Sequence, residues 1–210
     1  MMLRGLYAIT PEIEDTALLE SRVRAALTHA PQGWAALQYR NKRASPELRF
    51  EQAQRLAGIA RERGVRFLVN DDLGLALAVH AGGVHLGRDD GDLREARRTL
   101  PGGLLGASCY DSLDAARSAV AAGADYVAFG SVFLSGTKPG AVRAPLDLFR
   151  RGRMLGVPLV AIGGITLESA PQLLAAGADA LAVIASLFDA EDIAERARAF
   201  AGLFAAQSRT

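Results

Sequence analysis

Eight short apolar runs recur along the chain, and segments with helical spacing separate them. The runs are Gly5–Thr10, Ala35–Asn41, Phe67–Asn70, Gly83–Gly87, Leu104–Ser108, Tyr126–Ser131, Leu159–Gly163 and Ala180–Ala185. Between the second and third lies Glu47–Arg63, where Leu48, Phe50, Ala53, Leu56 and Ile59 are spaced for one helical face. Runs that stay apolar without alternating are the pattern of strands buried on both faces, which requires a parallel sheet covered by helices. Eight strand–helix units predict a (β/α)8 TIM barrel occupying residues 1–210 as a single domain, with an open, doubly wound sheet as the alternative.

A weak internal repeat supports this reading. Ala122-Gly123-Ala124-Asp125 precedes the sixth run and Ala176-Gly177-Ala178-Asp179 the eighth, while Ala81-Gly82-Gly83 stands similarly before the fourth. In each case glycine is expected where a helix stops, in the left-handed conformation open to it. With 50% apolar residues, a chain of 210 residues can bury one sizeable core. A formal net charge of +1 gives no footprint for nucleic acid, and Arg150-Arg151-Gly152-Arg153 is expected to be solvated helix surface. The one cysteine, Cys109, excludes an intramolecular disulfide and suits a reducing compartment; it is expected to be a packing thiol. Neither a signal peptide nor a membrane span is apparent, so a cytoplasmic protein is expected. Trp34 is expected to pack where the second strand starts.

The polar residues gather where the apolar runs end, which is where parallel α/β folds place their chemistry. Gln38, Arg40 and Lys42 alternate with Leu37 and Tyr39, so period two puts the polar set inward or at the upper rim and the apolar pair under the helices. Two cations there call for an anionic ligand. Asn70-Asp71-Asp72 ends the third run. Asp72 suits a helix cap, whereas Asp71, with Asp90 one strand away, can serve a divalent cation. From spacing alone, Asp89 and Asp90 suit a cap for the fourth helix just as well. His85 is expected to be a hydrogen-bonded interior histidine. After the sixth run, Ser135, Thr137 and Lys138 sit in a glycine-rich segment suited to phosphate, although it lacks the Walker order. Gly163-Gly164 after the seventh run and Ile184-Ala185 on the eighth lie where barrel enzymes bind phosphate through backbone amides.

Six segments in one order carry a resemblance. Gln38-Tyr39-Arg40-Asn41-Lys42, Asn70-Asp71-Asp72, Gly83-Val84-His85-Leu86-Gly87 with Asp90, Gly106-Ala107-Ser108, Gly130 to Lys138, and Ala161-Ile162-Gly163-Gly164-Ile165 together resemble thiamine phosphate synthases. The similarity runs from Leu6-Tyr7 to the eighth strand. It implies a transferase that joins an aminopyrimidine diphosphate to a thiazole phosphate (or its carboxylated form), releases diphosphate and uses Mg2+. By that resemblance Asp71 and Asp90 hold the magnesium ion. Arg40, Lys42 and Lys138, with Ser135 and Thr137, surround the diphosphate. Gln38, Asn70 and Ser108 contact the pyrimidine substrate or its diphosphate, and Gly164, Ile184 and Ala185 line the thiazole-phosphate end through backbone groups. Catalysis then falls to Arg40, Lys42, Lys138 and Ser108. The implied partners are small molecules, with no nucleic acid or membrane and with a homo-oligomer possible.

Two positions depart from the pattern. Leu134-Ser135 stands where the resemblance leads one to expect Pro-Thr, and Ala185 where serine is common; neither removes a charge or a metal ligand. A thiazole tautomerase of the same superfamily is an alternative, but it needs a histidine acid/base, and Cys109-Tyr110 after the fifth run is expected to have no histidine nearby. A non-catalytic phosphate-binding relative is a second alternative; it would not need Asp71 and Asp90.

Overall fold

The computed structural model describes residues 3–133 and 143–206. Eight strands close into one barrel in chain order: β1 (Gly5–Ile9), β2 (Trp34–Tyr39), β3 (Phe67–Asn70), β4 (Gly83–Leu86), β5 (Leu104–Tyr110), β6 (Tyr126–Phe129), β7 (Leu159–Ile162) and β8 (Ala180–Val183). Every neighbouring pair is parallel, including β1 with β8. The helices are α1 (Thr16–Ala26), α2 (Pro46–Glu62), α3 (Leu73–Ala78), α4 (Leu93–Thr99), α5 (Leu113–Ala121), α6 (Asp147–Gly152), α7 (Ala170–Ala176), α8 (Ala185–Phe188) and α9 (Ile193–Ala206). The chain is therefore a (β/α)8 barrel, and each observed strand overlaps its predicted run.

Two apolar layers follow from the strand period. Leu37, Tyr39, Val69, Val84, Leu105 and Leu181 face outward into the layer shared with the helices. Tyr7, Leu68, Tyr126, Ala128, Val160 and Ala182 fill the barrel interior. Tyr39 donates its hydroxyl to Gln52 Oε1 on α2 at 2.9 Å, as its predicted outward direction requires. The interior is crowded enough that Gly106 has to be glycine: a β-carbon there would lie 2.0 Å from Cζ of Tyr126. Cys109 is buried in the outer layer, and Trp34 packs against that layer from the start of β2.

The Ala-Gly-Ala-Asp repeat has a defined job. Gly123 and Gly177 stop α5 and α7 with φ of 103° and 110°, a conformation glycine adopts without steric cost. The following aspartates then tie neighbouring strands at the barrel bottom. Leu105 N–H donates to Asp125 Oδ2 at 2.7 Å, and Leu159 N–H donates to Asp179 Oδ2 at 2.9 Å.

Two expectations need correction. Before β4 the left-handed residue is His80 (φ 51°), not a glycine. Gly83 serves space instead, since a β-carbon there would meet the Leu104 carbonyl oxygen at 2.1 Å. On α2 the predicted apolar face included Phe50, yet Phe50 is 41% exposed. The buried arc runs through Gln52, Ala53, Leu56, Ile59 and Ala60, and Phe50 falls at its edge.

Candidate functional site at the C-terminal rim of the barrel

A cavity of about 540 Å3 opens at the carboxyl ends of the strands. Gln38, Arg40, Lys42, Asn70, Asp71, Asp90, Ser108 and Ile184, all named from the sequence, line it. Gly163 borders it as well, whereas Gly164 and Ala185 are not among the lining residues, and Ala185 is exposed as the first residue of α8. Gly163 lets the loop after β7 close against Ser131, because a β-carbon would sit 2.1 Å from Ser131 Oγ. Leu134, Ser135, Thr137 and Lys138 lie outside the described residues.

The loop after β2 is shaped by its own side chains. Asn41 is buried; its Oδ1 accepts from the N–H groups of Arg43 and Ala44 at 3.2 Å each, and its amide donates to Gln52 Oε1. That turn sends Arg40 and Lys42 to the rim. Arg40 donates to Glu12 Oε1 at 2.6 Å, while its backbone N–H donates to Thr10 Oγ1 at 2.9 Å. Glu12 was not foreseen, because an isolated glutamate in the loop after β1 carries no pattern of its own.

The carboxylates meet here. Asp71 follows β3 in the left-handed region (φ 63°), and its N–H donates to the His85 carbonyl at 2.8 Å, extending the β3–β4 ladder. This backbone turn directs the Asp71 carboxylate toward Lys42 Nζ, 2.8 Å away, and toward the Gly87 N–H at 3.3 Å. Asp90 reaches the same place from the loop after β4. It fits only because residue 87 is glycine: a β-carbon there would lie 2.2 Å from Asp90 Oδ2 and 3.7 Å from Asp71 Oδ1. Asp90 does not cap the fourth helix, for Asp92 does, accepting from Glu95 N–H at 2.9 Å. Asp72 caps α3 through Leu75 N–H and pairs with Arg49 at 2.7 Å.

The two carboxyls titrate apart. Burial pushes Asp71 upward, but hydrogen bonds from Lys42 and Asp90, the Lys42 charge and the Gly87 amide outweigh it, and the net shift is downward. Asp90 is raised by burial and by the hydrogen bond and negative charge of Asp71, with Lys42 opposing. An ionised carboxylate thus leans on a partner that retains its proton more readily, as two like charges held together must. Among the described residues, no group of three or more His, Cys, Asp and Glu is arranged to hold a metal. Two carboxylates converging on a space that a single methyl would fill do suit a hard divalent cation that takes its other oxygens from substrate and water. A second cavity of about 380 Å3, toward α2 and α3, shares Lys42, Asn70, Asp71 and Asp90, so the pair is reached from two sides.

The barrel floor carries a buried polar chain that sequence reasoning missed. Gln38 Nε2 donates to the Tyr7 hydroxyl at 2.9 Å, and Tyr7 and Tyr126 share a hydrogen bond of 2.7 Å. The Tyr126 hydroxyl lies 3.0 Å from His85 Nδ1, and His85 Nε2 lies 2.9 Å from Ser108 Oγ. His85 is interior and hydrogen-bonded, as expected, and burial lowers its pKa to about 4, keeping it neutral near pH 7. The expectation that no histidine lies near the end of β5 does not hold in space, since β4 pairs with β5 and sets His85 beside Ser108. Strand parity could have revealed Tyr7 and Tyr126 as inward-facing, but within apolar runs each had the appearance of packing.

A closed parallel barrel with its polar side chains collected at one rim defines the class: a (β/α)8 enzyme of the kind that works at the carboxyl ends of its strands. The profile of the family described as thiamine monophosphate synthase matches residues 6–187. A thiamine-phosphate synthase of Aromatoleum aromaticum is 57% identical over 204 residues, covering 96% of this chain and 97% of its own length. One from an Azoarcus species is 52% identical over 205 residues, covering 97% and 98% respectively. The solved structure of thiamine phosphate pyrophosphorylase from Pyrococcus furiosus superposes with a TM-score of 0.84 at 33% identity, covering 96% of both chains. The chain belongs to the thiamine monophosphate synthase family and is an enzyme of that type.

Proposed function

We propose that the rim cavity couples 4-amino-2-methyl-5-(diphosphooxymethyl)pyrimidine to a thiazole phosphate, with Mg2+ assisting departure of diphosphate. The observation that carries this reading is the meeting of Asp71, Asp90 and Lys42 at the cavity wall, where two carboxylates and one cation share a space sized by Gly87.

Breaking the bond between the pyrimidine methylene and the diphosphate oxygen sends the electron pair to the leaving group and leaves a cation delocalised into the aminopyrimidine. The thiazole nitrogen then supplies the pair for the new C–N bond. No proton has to move, so the protein needs no nucleophile or general base. It has to neutralise charge that builds on the departing oxygens. Arg40 and Lys42 stand on the cavity wall for that purpose, with Arg40 steadied by Glu12. By resemblance Lys138, Ser135 and Thr137 join them. Asp71 and Asp90 are the residues to hold magnesium, which when bound supplies charge neutralisation to the diphosphate. Losing one such contact is expected to cost about two to three powers of ten in turnover. Gln38, Asn70 and Ser108 receive the pyrimidine, and the backbone around Gly163, Gly164, Ile184 and Ala185 receives the thiazole phosphate.

A substrate that needs no proton transfer also accounts for His85. A buried imidazole held between Tyr126 and Ser108 is well placed to orient Ser108, and with its pKa lowered to about 4 it is a poor proton donor near pH 7, where a tautomerase would need one. The test is incubation of the purified chain with both substrates, with and without magnesium, measuring thiamine phosphate and diphosphate. Equimolar products that require magnesium are expected; no product at saturating substrates would sink the proposal.

A further inference from the structure

Five side chains form one uninterrupted hydrogen-bonded line across the barrel, from Gln38 on β2 through Tyr7, Tyr126 and His85 to Ser108 on β5. Gln38, Tyr7, Tyr126 and His85 are all buried, and both ends of the line reach the rim cavity. Among the described residues no buried side-chain nitrogen or oxygen lacks a partner, and along this line the buried groups satisfy one another.

The direction of the line follows from counting hydrogens. Gln38 Nε2 can only donate, so the Tyr7 oxygen accepts there, and the single Tyr7 proton must pass to its other partner, Tyr126. Tyr126 then has one proton left and one partner left, Nδ1 of His85. Neither imidazole nitrogen faces a carboxylate, since both partners are hydroxyls, and a buried neutral ring carries one proton. With Nδ1 accepting, that proton sits on Nε2 and is donated to Ser108 Oγ. The Ser108 proton is left to point at a ligand. At the opposite end, one Nε2 hydrogen of Gln38 is committed to Tyr7, which fixes which way the amide lies and leaves its carbonyl oxygen as the acceptor, with the second Nε2 hydrogen beside it.

We infer that Tyr7, Tyr126 and His85 are positioning residues whose one-way hydrogen-bond line makes Gln38 an acceptor and Ser108 a donor, selecting a heteroaromatic substrate with an amino donor on one side and a ring-nitrogen acceptor on the other. An aminopyrimidine has both groups. A pyrimidinone, with a carbonyl in place of the amino group, presents an acceptor to an acceptor, and reversing the line to suit it would require every member to turn at once. Such a site discriminates because a mismatch leaves buried polar groups unpaired. The substrate half of this inference rests on the proposed function above; the direction of the line does not.

Histidine 15N NMR on the intact wild-type protein reads the direction without substrate. A ring protonated at Nε2 alone is expected, and protonation at Nδ1 would overturn the inference. Tyr126→Phe cuts the line at its centre and should give mixed tautomers. It should also lower the preference for the aminopyrimidine diphosphate over its oxo analogue, measured as a ratio of kcat/KM, by roughly ten- to a hundredfold. Tyr7→Phe, cutting one link earlier, should lower the same ratio and covers the case in which Tyr126→Phe fails to fold. An unchanged ratio in the folded variants would overturn the selectivity role, since a purely structural contact would reduce activity on both substrates alike. Wild-type protein that turns over neither substrate would overturn the functional reading and the selectivity with it, while the NMR result would still decide the direction.

Discussion

Gly87→Ala is the perturbation that isolates the carboxylate pair without touching either carboxylate. A β-carbon at position 87 would lie 2.2 Å from Asp90 Oδ2, and ordinary contact begins near 3.4 Å, so the oxygen has to withdraw by about 1.2 Å. The obstructing atom is the tip of a flexible side chain, and Gly87 is not in a left-handed conformation, so the barrel has no reason to deform. The Gly87 N–H remains to donate to Asp71. If Asp71 and Asp90 hold magnesium as proposed, the cost falls on the metal geometry. Displacement of a catalytic group by about 1 Å costs on the order of a hundredfold, and disturbed support of a metal ligand costs about 10- to 100-fold in affinity. Titrating magnesium against initial rate should show half-saturation moved up by about one to two powers of ten, with thermal unfolding changed by less than about 1 kcal/mol. An unchanged magnesium requirement in Gly87→Ala would refute the placement of the ion between Asp71 and Asp90.

Asp71→Asn should abolish magnesium-dependent turnover while far-ultraviolet circular dichroism stays that of the wild type; retained activity would remove Asp71 from the metal site. His85, with a folded pKa of about 4 against an ordinary 6.5, favours the fold only when neutral. Its contribution is complete above pH 6.5, declines as pH falls toward 4, and amounts to about 3 kcal/mol when fully lost. Urea unfolding at pH 7 and pH 4.5 should show most of that loss, about 2 kcal/mol, in the wild type and a smaller one in His85→Asn; equal losses would contradict it. Burial pushes the Cys109 thiol up to about 12, so alkylation at pH 8 should be slow in the native protein and fast in urea. Rapid labelling of the native state would show that β5 opens.

The strands were legible in the sequence because burial on both faces leaves a local signature, an apolar run bounded by polar residues. Gln38, Arg40 and Lys42 were legible by parity, and Asp72 as a cap by its position just before α3. What the sequence left open was pairing across the barrel. Asp89 and Asp90 both read as caps for the fourth helix on paper, and only the space beside Gly87 and the Asp92–Glu95 hydrogen bond show that Asp90 sits beside Asp71 while Asp92 is the cap. Tyr7 and Tyr126 are 119 positions apart, and their shared hydrogen bond depends on barrel closure, which no local pattern encodes. The same holds for Glu12 and Arg40, and for His85 and Ser108, which meet because β4 lies beside β5.

The central claim, that Asp71 and Asp90 hold a divalent cation for a diphosphate, is tested most directly by Mn2+ electron paramagnetic resonance, with Mn2+ in place of magnesium at an oxygen-donor site. In the presence of inorganic diphosphate, the wild type should bind one Mn2+, and Asp71→Asn and Asp90→Asn should each weaken that binding severely. Equal Mn2+ binding by the wild type and both variants would contradict the claim.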